Sequence, residues 1–132
     1  MSFALDLKQF AAKTHKQIWT INRKVALEVL RRVVMRTPVE SGRAKGNWQT
    51  SVGTPIEREI ERTDKGGGSV ISSAVSVIES WESDNVSIFL MNNLPYIGRL
   101  EDGYSSQAPA GMVKITVAEF QQIVNTGASD GI

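Results

Sequence analysis

The first third of the chain carries the three-four spacing of an amphipathic helix. Leu7, Phe10, Ala11, Thr14, Ile18, Ile21, Val25, Val29 and Val33 recur on one side of residues 5–35. Between them stand Lys8, Lys13, Lys16, Arg23, Lys24, Arg31 and Arg32, so the solvent side is markedly basic. Neither glycine nor proline interrupts the run, and a helix of that length reaches roughly 45 Å, longer than a domain of this size is wide. The excess has to project or pack on a neighbour. Pro38 stops the helix, because its ring pushes Thr37 out of the helical region.

After a turn at residues 37–42, Trp48 and Val52 open a strand, and residues 54–68 are polar up to Gly66, Gly67 and Gly68. Three glycines bury no side chain, so residues 54–68 are expected to form a flexible arm or hairpin tip. A short helix is predicted over residues 69–81, with Val70, Ala74, Val77, Ile78 and Trp81 on one side. Residues 86–91 are β-branched and aromatic and form the most strand-like run. A last helix is predicted over residues 116–124, and residues 126–132 read as a mobile tail. The pattern is that of one α+β domain over residues 1–132. A long N-terminal helix packs on a small, mostly antiparallel sheet, with one or two shorter helices.

Composition narrows the chemistry. At 132 residues the chain holds one core. No apolar run approaches the roughly 18–20 residues that cross a bilayer, and no charged start leads into an apolar export signal, so neither membrane nor export is expected. Cysteine is absent, which excludes disulfides, thiolate metal sites and a cysteine nucleophile, and suits a reducing cytoplasm. His15 is the only histidine, and its i+4 neighbour is Trp19, so it has no partner for zinc or for catalysis. Glu101 and Asp102 are adjacent and point apart, which makes a poor carboxylate pair. Lys65 to Ser69 lacks the spacing of a phosphate-binding loop. No catalytic, cofactor or metal site is expected, and the chain does not read as an enzyme.

The net charge of +1 hides a polarity along the chain. Residues 1–66 carry thirteen Lys/Arg against seven Asp/Glu, a net of +6; residues 67–132 carry two against seven, a net of −5. Such asymmetry speaks of partners. It suits a basic face toward nucleic acid, or two faces that attract when identical subunits meet head to tail. No helix-turn-helix or other nucleic-acid motif accompanies it, so sequence readout is not expected.

Two segments stand out. One is Thr37-Pro38-Val39-Glu40-Ser41-Gly42-Arg43, followed by Trp48. The other begins at Asn92 and Asn93, passes through Pro95, Tyr96, Glu101 and Gly103, and ends on Ser105, Gln107, Ala108, Pro109, Gly111, Met112 and Val113. Pro95 is placed to start a helical turn, with Leu94, Ile97 and Leu100 on one side and Gly103 at its end. The mixture of restricted backbone, amphipathic tyrosines and an adaptable methionine suits a contact surface.

Together the two segments resemble the signatures of the tail-component or neck proteins of long-tailed bacteriophages. The order of long helix, turn, variable middle and Pro-Tyr segment covers nearly the whole chain, with no family feature in residues 54–68. The resemblance implies a structural virion protein at the head–tail junction, of the head–tail joining, tail-completion or tail-terminator type. Such a protein assembles in the host cytoplasm into a ring, usually a hexamer. Its partners would be further copies of itself and the neighbouring neck, connector and tail-tube proteins. On that reading Pro95, Tyr96, Glu101, Tyr104, Gln107, Pro109 and Met112 are candidate subunit or ring contacts. Lys13, Lys16, Arg23, Lys24, Arg31 and Arg32 are candidates for non-specific contact with genomic DNA in the lumen. A head-closure or connector protein and a DNA-binding packaging accessory are the alternatives.

Overall fold

The computed structural model describes residues 1–5, 15–82 and 86–130. The elements follow in the order β1 (Ser2–Leu5), α1 (His15–Arg36), α2 (Arg43–Gly46), β2 (Gln49–Val52), α3 (Gly68–Glu79), β3 (Ile88–Met91), α4 (Ile97–Glu101), α5 (Val113–Ala118) and α6 (Phe120–Asp130). The layout is α+β, with a long N-terminal helix and a three-stranded antiparallel sheet in the order β1-β3-β2. Ser2 to Leu5 run opposite Met91 to Ile88, and Gln49 to Val52 run opposite the same residues on the other side.

The first correction falls at the N-terminus. Residue 5, expected to begin the long helix, ends a strand. Phe3 sets its ring edge-on to Trp48 at 6.5 Å, and the Met1 amine donates to the Asn92 carbonyl at 3.1 Å. Pairing with the buried edge of β3 satisfies backbone groups that an isolated helical turn would leave to solvent. Lys8 and Lys13 lie outside the described residues.

α1 is the hub. Its Ile21, Val25, Ala26, Val29, Leu30, Val33 and Val34 are fully buried and share one core with Trp48, Ile88 and Leu90 from the sheet side. α3 lies along one flank and α5 and α6 along the other. α3 runs antiparallel to α1, with Gly67 against Val34 and Trp81 edge-on to Trp19 at 5.0 Å. The predicted last helix is two helices, α5 and α6, which break at Glu119. Of the tail expected over residues 126–132, residues 126–130 continue α6, where Gly127 is buried against Val25, and residues 131–132 lie outside the described residues.

Residues 54–68 are a strap tied to the domain and not a free arm. Asn93 Nδ2 donates to the Ile56 carbonyl at 2.7 Å, Gln49 Nε2 to that of Arg58 at 2.8 Å, and Ile60 N–H to Asn47 Oδ1 at 2.9 Å. Arg62 reaches back to the carbonyls of Gly46 and Trp48. The strap ends on Asp64, whose carboxylate accepts from Gly67 and Val70 N–H, both at 3.0 Å, and so caps α3. Burial alone would raise the Asp64 carboxyl, but the N–H groups of Val70, Gly67 and Ser69 outweigh it and hold it below the ordinary range. Gly67 is needed here: its φ is 83°, and a Cβ would stand 2.9 Å from Val34 Cγ1. Within the triple glycine, Gly67 makes the close approach to α1, and a Cβ on Gly66 or Gly68 would meet nothing. The strap's low apolar content hid its attachment, because side-chain amides and guanidinium groups binding carbonyls hold it.

Asn22 is fully buried on α1, and neither of its amide atoms has a hydrogen-bond partner. Burying such a group unpaired costs about 1–3 kcal/mol. Asn22→Leu, which keeps the branched shape and the number of side-chain heavy atoms, is expected to stabilise the fold by that order where the slightly larger methyl groups are accommodated. A rise in the urea midpoint at unchanged slope is the measurement that checks it.

Candidate functional site

The turn after α1 is fixed from within. Thr37 Oγ1 donates to the Val33 carbonyl at 2.7 Å and accepts from buried Trp48 Nε1 at 2.9 Å. The chain then turns through Glu40 and Ser41 into α2, and the Gly42 carbonyl accepts from Gly46 and Asp64 N–H. The second segment leaves β3 through Asn92, also buried. Asn92 Nδ2 donates to the Ala44 carbonyl at 2.8 Å, tying the two segments together at their base. At the far end the Gln107 amide grips Val39 at two points: it accepts Val39 N–H at 2.8 Å and donates to Val39 C=O at 3.1 Å. Between these ties lies a groove of about 500 Å³. Pro38, Val39, Arg43 and Ala44 stand on one wall, and Tyr96, Arg99, Leu100 and Tyr104 on the other.

The candidate contact residues divide. Tyr96, Tyr104 and Gln107 line the groove; Tyr104 is 72% exposed and Tyr96 39%. Pro95 and Pro109 are exposed beside it without lining it. Glu101 and Met112 are not surface residues. Met112 is fully buried in the core. The Glu101 carboxylate turns inward and accepts from the N–H groups of Met112, Val113 and Lys114 at 2.8 to 2.9 Å. These are the first donors of α5, which the helix itself cannot satisfy. Gly111 lets the chain pass close enough: with φ of 81°, a Cβ there would strike the Glu101 carbonyl oxygen.

The candidate DNA-facing residues are largely engaged. Arg23 Nε donates to the Trp81 carbonyl at 2.9 Å, with Glu82 3.8 Å away. Arg31 and Arg32 both bind Glu28, at 2.9 and 2.6 Å. Arg32 also reaches Glu119 at 3.1 Å, beside Arg36 at 2.7 Å. Lys24 is exposed. Lys13 and the Lys16 side chain lie outside the described residues. Part of the charge polarity along the chain is therefore met inside the subunit, where Arg23, Arg32 and Arg36 of α1 reach Glu82 and Glu119 of the second half. Sequence reasoning missed Arg43, Arg99 and the Arg36–Glu119 pair. Arg43 closes the first signature segment and Arg99 lies inside the second, but spacing did not show that both face one groove.

Among the described residues no three His, Asp or Glu side chains gather to hold a metal, and no helix is long and apolar enough to cross a membrane. No family model, curated protein or solved structure matches the chain.

Two outcomes follow from this chemistry. Removing the acceptor in Glu101→Ala leaves three donors unpaired and should destabilise the fold by about 2–4 kcal/mol. Glu101→Gln keeps one acceptor oxygen and should lose roughly half as much, read by thermal unfolding. Arg36, against a burial contribution and together with Arg32, holds the Glu119 carboxyl at about 2, below its unfolded value of 4.5. A depressed carboxylate stabilises the fold above its unfolded value and loses that contribution as pH falls through the folded one. The α1–α5–α6 tie should therefore weaken between about pH 4.5 and 2. Melting temperatures across that window should fall less steeply for Glu119→Gln than for the parent.

Proposed function

We infer that the chain is a structural virion protein of a long-tailed bacteriophage, forming a ring at the head–tail junction that completes the tail and helps join it to the filled head. One observation carries the reading. The two segments that resemble the neck and tail-component signatures lie some fifty residues apart in the chain and are bound into one groove at both ends, by Asn92 to Ala44 and by Gln107 to Val39. The internal members of those segments, Thr37, Trp48, Glu101 and Met112, hold the groove in shape. What they hold up is a pair of exposed tyrosines, Tyr96 and Tyr104, in the lining of the groove. Aromatic residues of this kind anchor interfaces, and a few anchors carry most of the binding energy.

Further copies of the chain, or the adjoining neck and tail-tube proteins, would cover the groove, and no chemistry is assigned to it. The test is genetic and structural. Tyr104→Ala and Tyr96→Ala should leave the melting temperature of the purified chain unchanged and cost about 1–3 kcal/mol at each contact. In the phage that carries the gene, the expected phenotype is filled heads and separate tails, seen by electron microscopy. Normal particles at normal yield from both variants would overturn the assignment.

A further inference from the structure

Arg99 is the groove residue that the fold leaves unused. Its guanidinium is held 4.5 Å over the Tyr104 ring and makes no ion pair or hydrogen bond with the described residues. Arg43 on the opposite wall is already bound by Glu59 at 2.9 Å, and Glu40 on that wall does not pair with Arg99. Two hydroxyls lie in the same lining. Ser41 Oγ accepts from Arg43 N–H and Ser105 Oγ from Gln107 N–H, both at 3.2 Å, so each keeps its own proton to donate. A stacked, oriented guanidinium with free hydroxyl donors beside it is a receptor for a carboxylate.

We propose that this receptor takes the Glu79 carboxylate of a neighbouring copy of the chain, joining subunits head to tail; the proposal rests on the ring reading above. Glu79 ends α3, is exposed and forms no ion pair with the described residues. Glu82 lies three residues on, its side chain 71% exposed. Among the described residues the other exposed acids are in the wrong place: Glu40 lines the groove itself, Asp102 directly follows α4, Glu59 is taken by Arg43, and Glu57 and Glu61 ride on the same strap. The acidic corner sits at the Arg23 end of α1 and the groove just past its Arg36 end, roughly 20 Å apart along the helix axis. Two complementary patches at opposite ends of a subunit cannot meet within it. They meet between subunits, in the heterologous contact that generates rings.

The experiment is light scattering on the purified full chain across ionic strength, with Arg99→Glu, Glu79→Arg and the double variant. Both positions are exposed, so melting temperatures should match the parent. Each single change should raise the concentration needed for assembly roughly tenfold at low salt, and the double variant should recover it. Parental assembly by both single variants overturns the contact while leaving the ring reading intact, as does a double variant no better than either single. A parent chain that stays monomeric at every concentration and salt overturns both. If Arg99→Glu weakens retention on duplex DNA and leaves assembly unchanged, the receptor serves phosphate and the proposed contact is overturned.

Discussion

Three consecutive backbone N–H groups, those of Met112, Val113 and Lys114, converge on the Glu101 carboxylate at 2.8 to 2.9 Å. Much of the molecule on that side depends on this cap. A short helix such as α5 cannot satisfy its own first donors, and a carboxylate brought in from α4 does so with charge-assisted bonds. The bonds close the loop of residues 102–111 and seat Met112 in the core. The loop then presents Gln107 toward Val39. The cap thus places the wall that carries Tyr104 and Gln107, while Asn92 ties the base of that segment to Ala44.

A second set of ties works from the opposite direction. Asn92 and Asn47 are buried, and their amides bind the backbone across segment boundaries: Asn92 to Ala44, Asn47 to Arg43 and Ile60. Buried amides of this kind are costly unless fully paired and specific when they are. They give a polar strap and two loops a defined place without demanding apolar side chains from them. The domain therefore spends its hydrophobic residues on α1, α3 and the sheet, and uses side-chain hydrogen bonds to shape the surface built on that core.

Charge is divided in a related way. Arg32 and Arg36 of α1 fold back onto Glu119 at the α5–α6 break, and Arg23 lies toward Glu82. In the basic stripe that looks like a free electrostatic face along the sequence, Arg23 and Arg32 are struts between α1 and the acidic half, and Arg31 pairs within α1. Among the described residues left without an ion pair are Lys24 on α1, Arg99 in the groove and Glu79 at the end of α3. Those residues, and the two exposed tyrosines, are where a partner would find something the subunit does not already use.

The sequence alone determined the elements whose period is strong. The buried face of α1 from Ile18 to Val33 and the apolar side of α3 are legible because burial on one side forces a repeat of 3.6 residues, and β3 is legible through its β-branched and aromatic residues. It also pointed to both segments that form the groove, through their proline, glycine and asparagine punctuation. Only the tertiary structure decided the rest. A four-residue strand such as β1 is too short for a periodic signal and exists because β3 offers it a partner. The strap over residues 54–68 looked free because its ties are side-chain bonds to distant carbonyls, which leave no pattern in a linear reading. Glu101 and Met112 looked like surface residues beside a loop, and became a cap and a core residue once α5 turned back over α4. Which face a residue shows depends on the path of chain far from it, and local spacing does not encode that path.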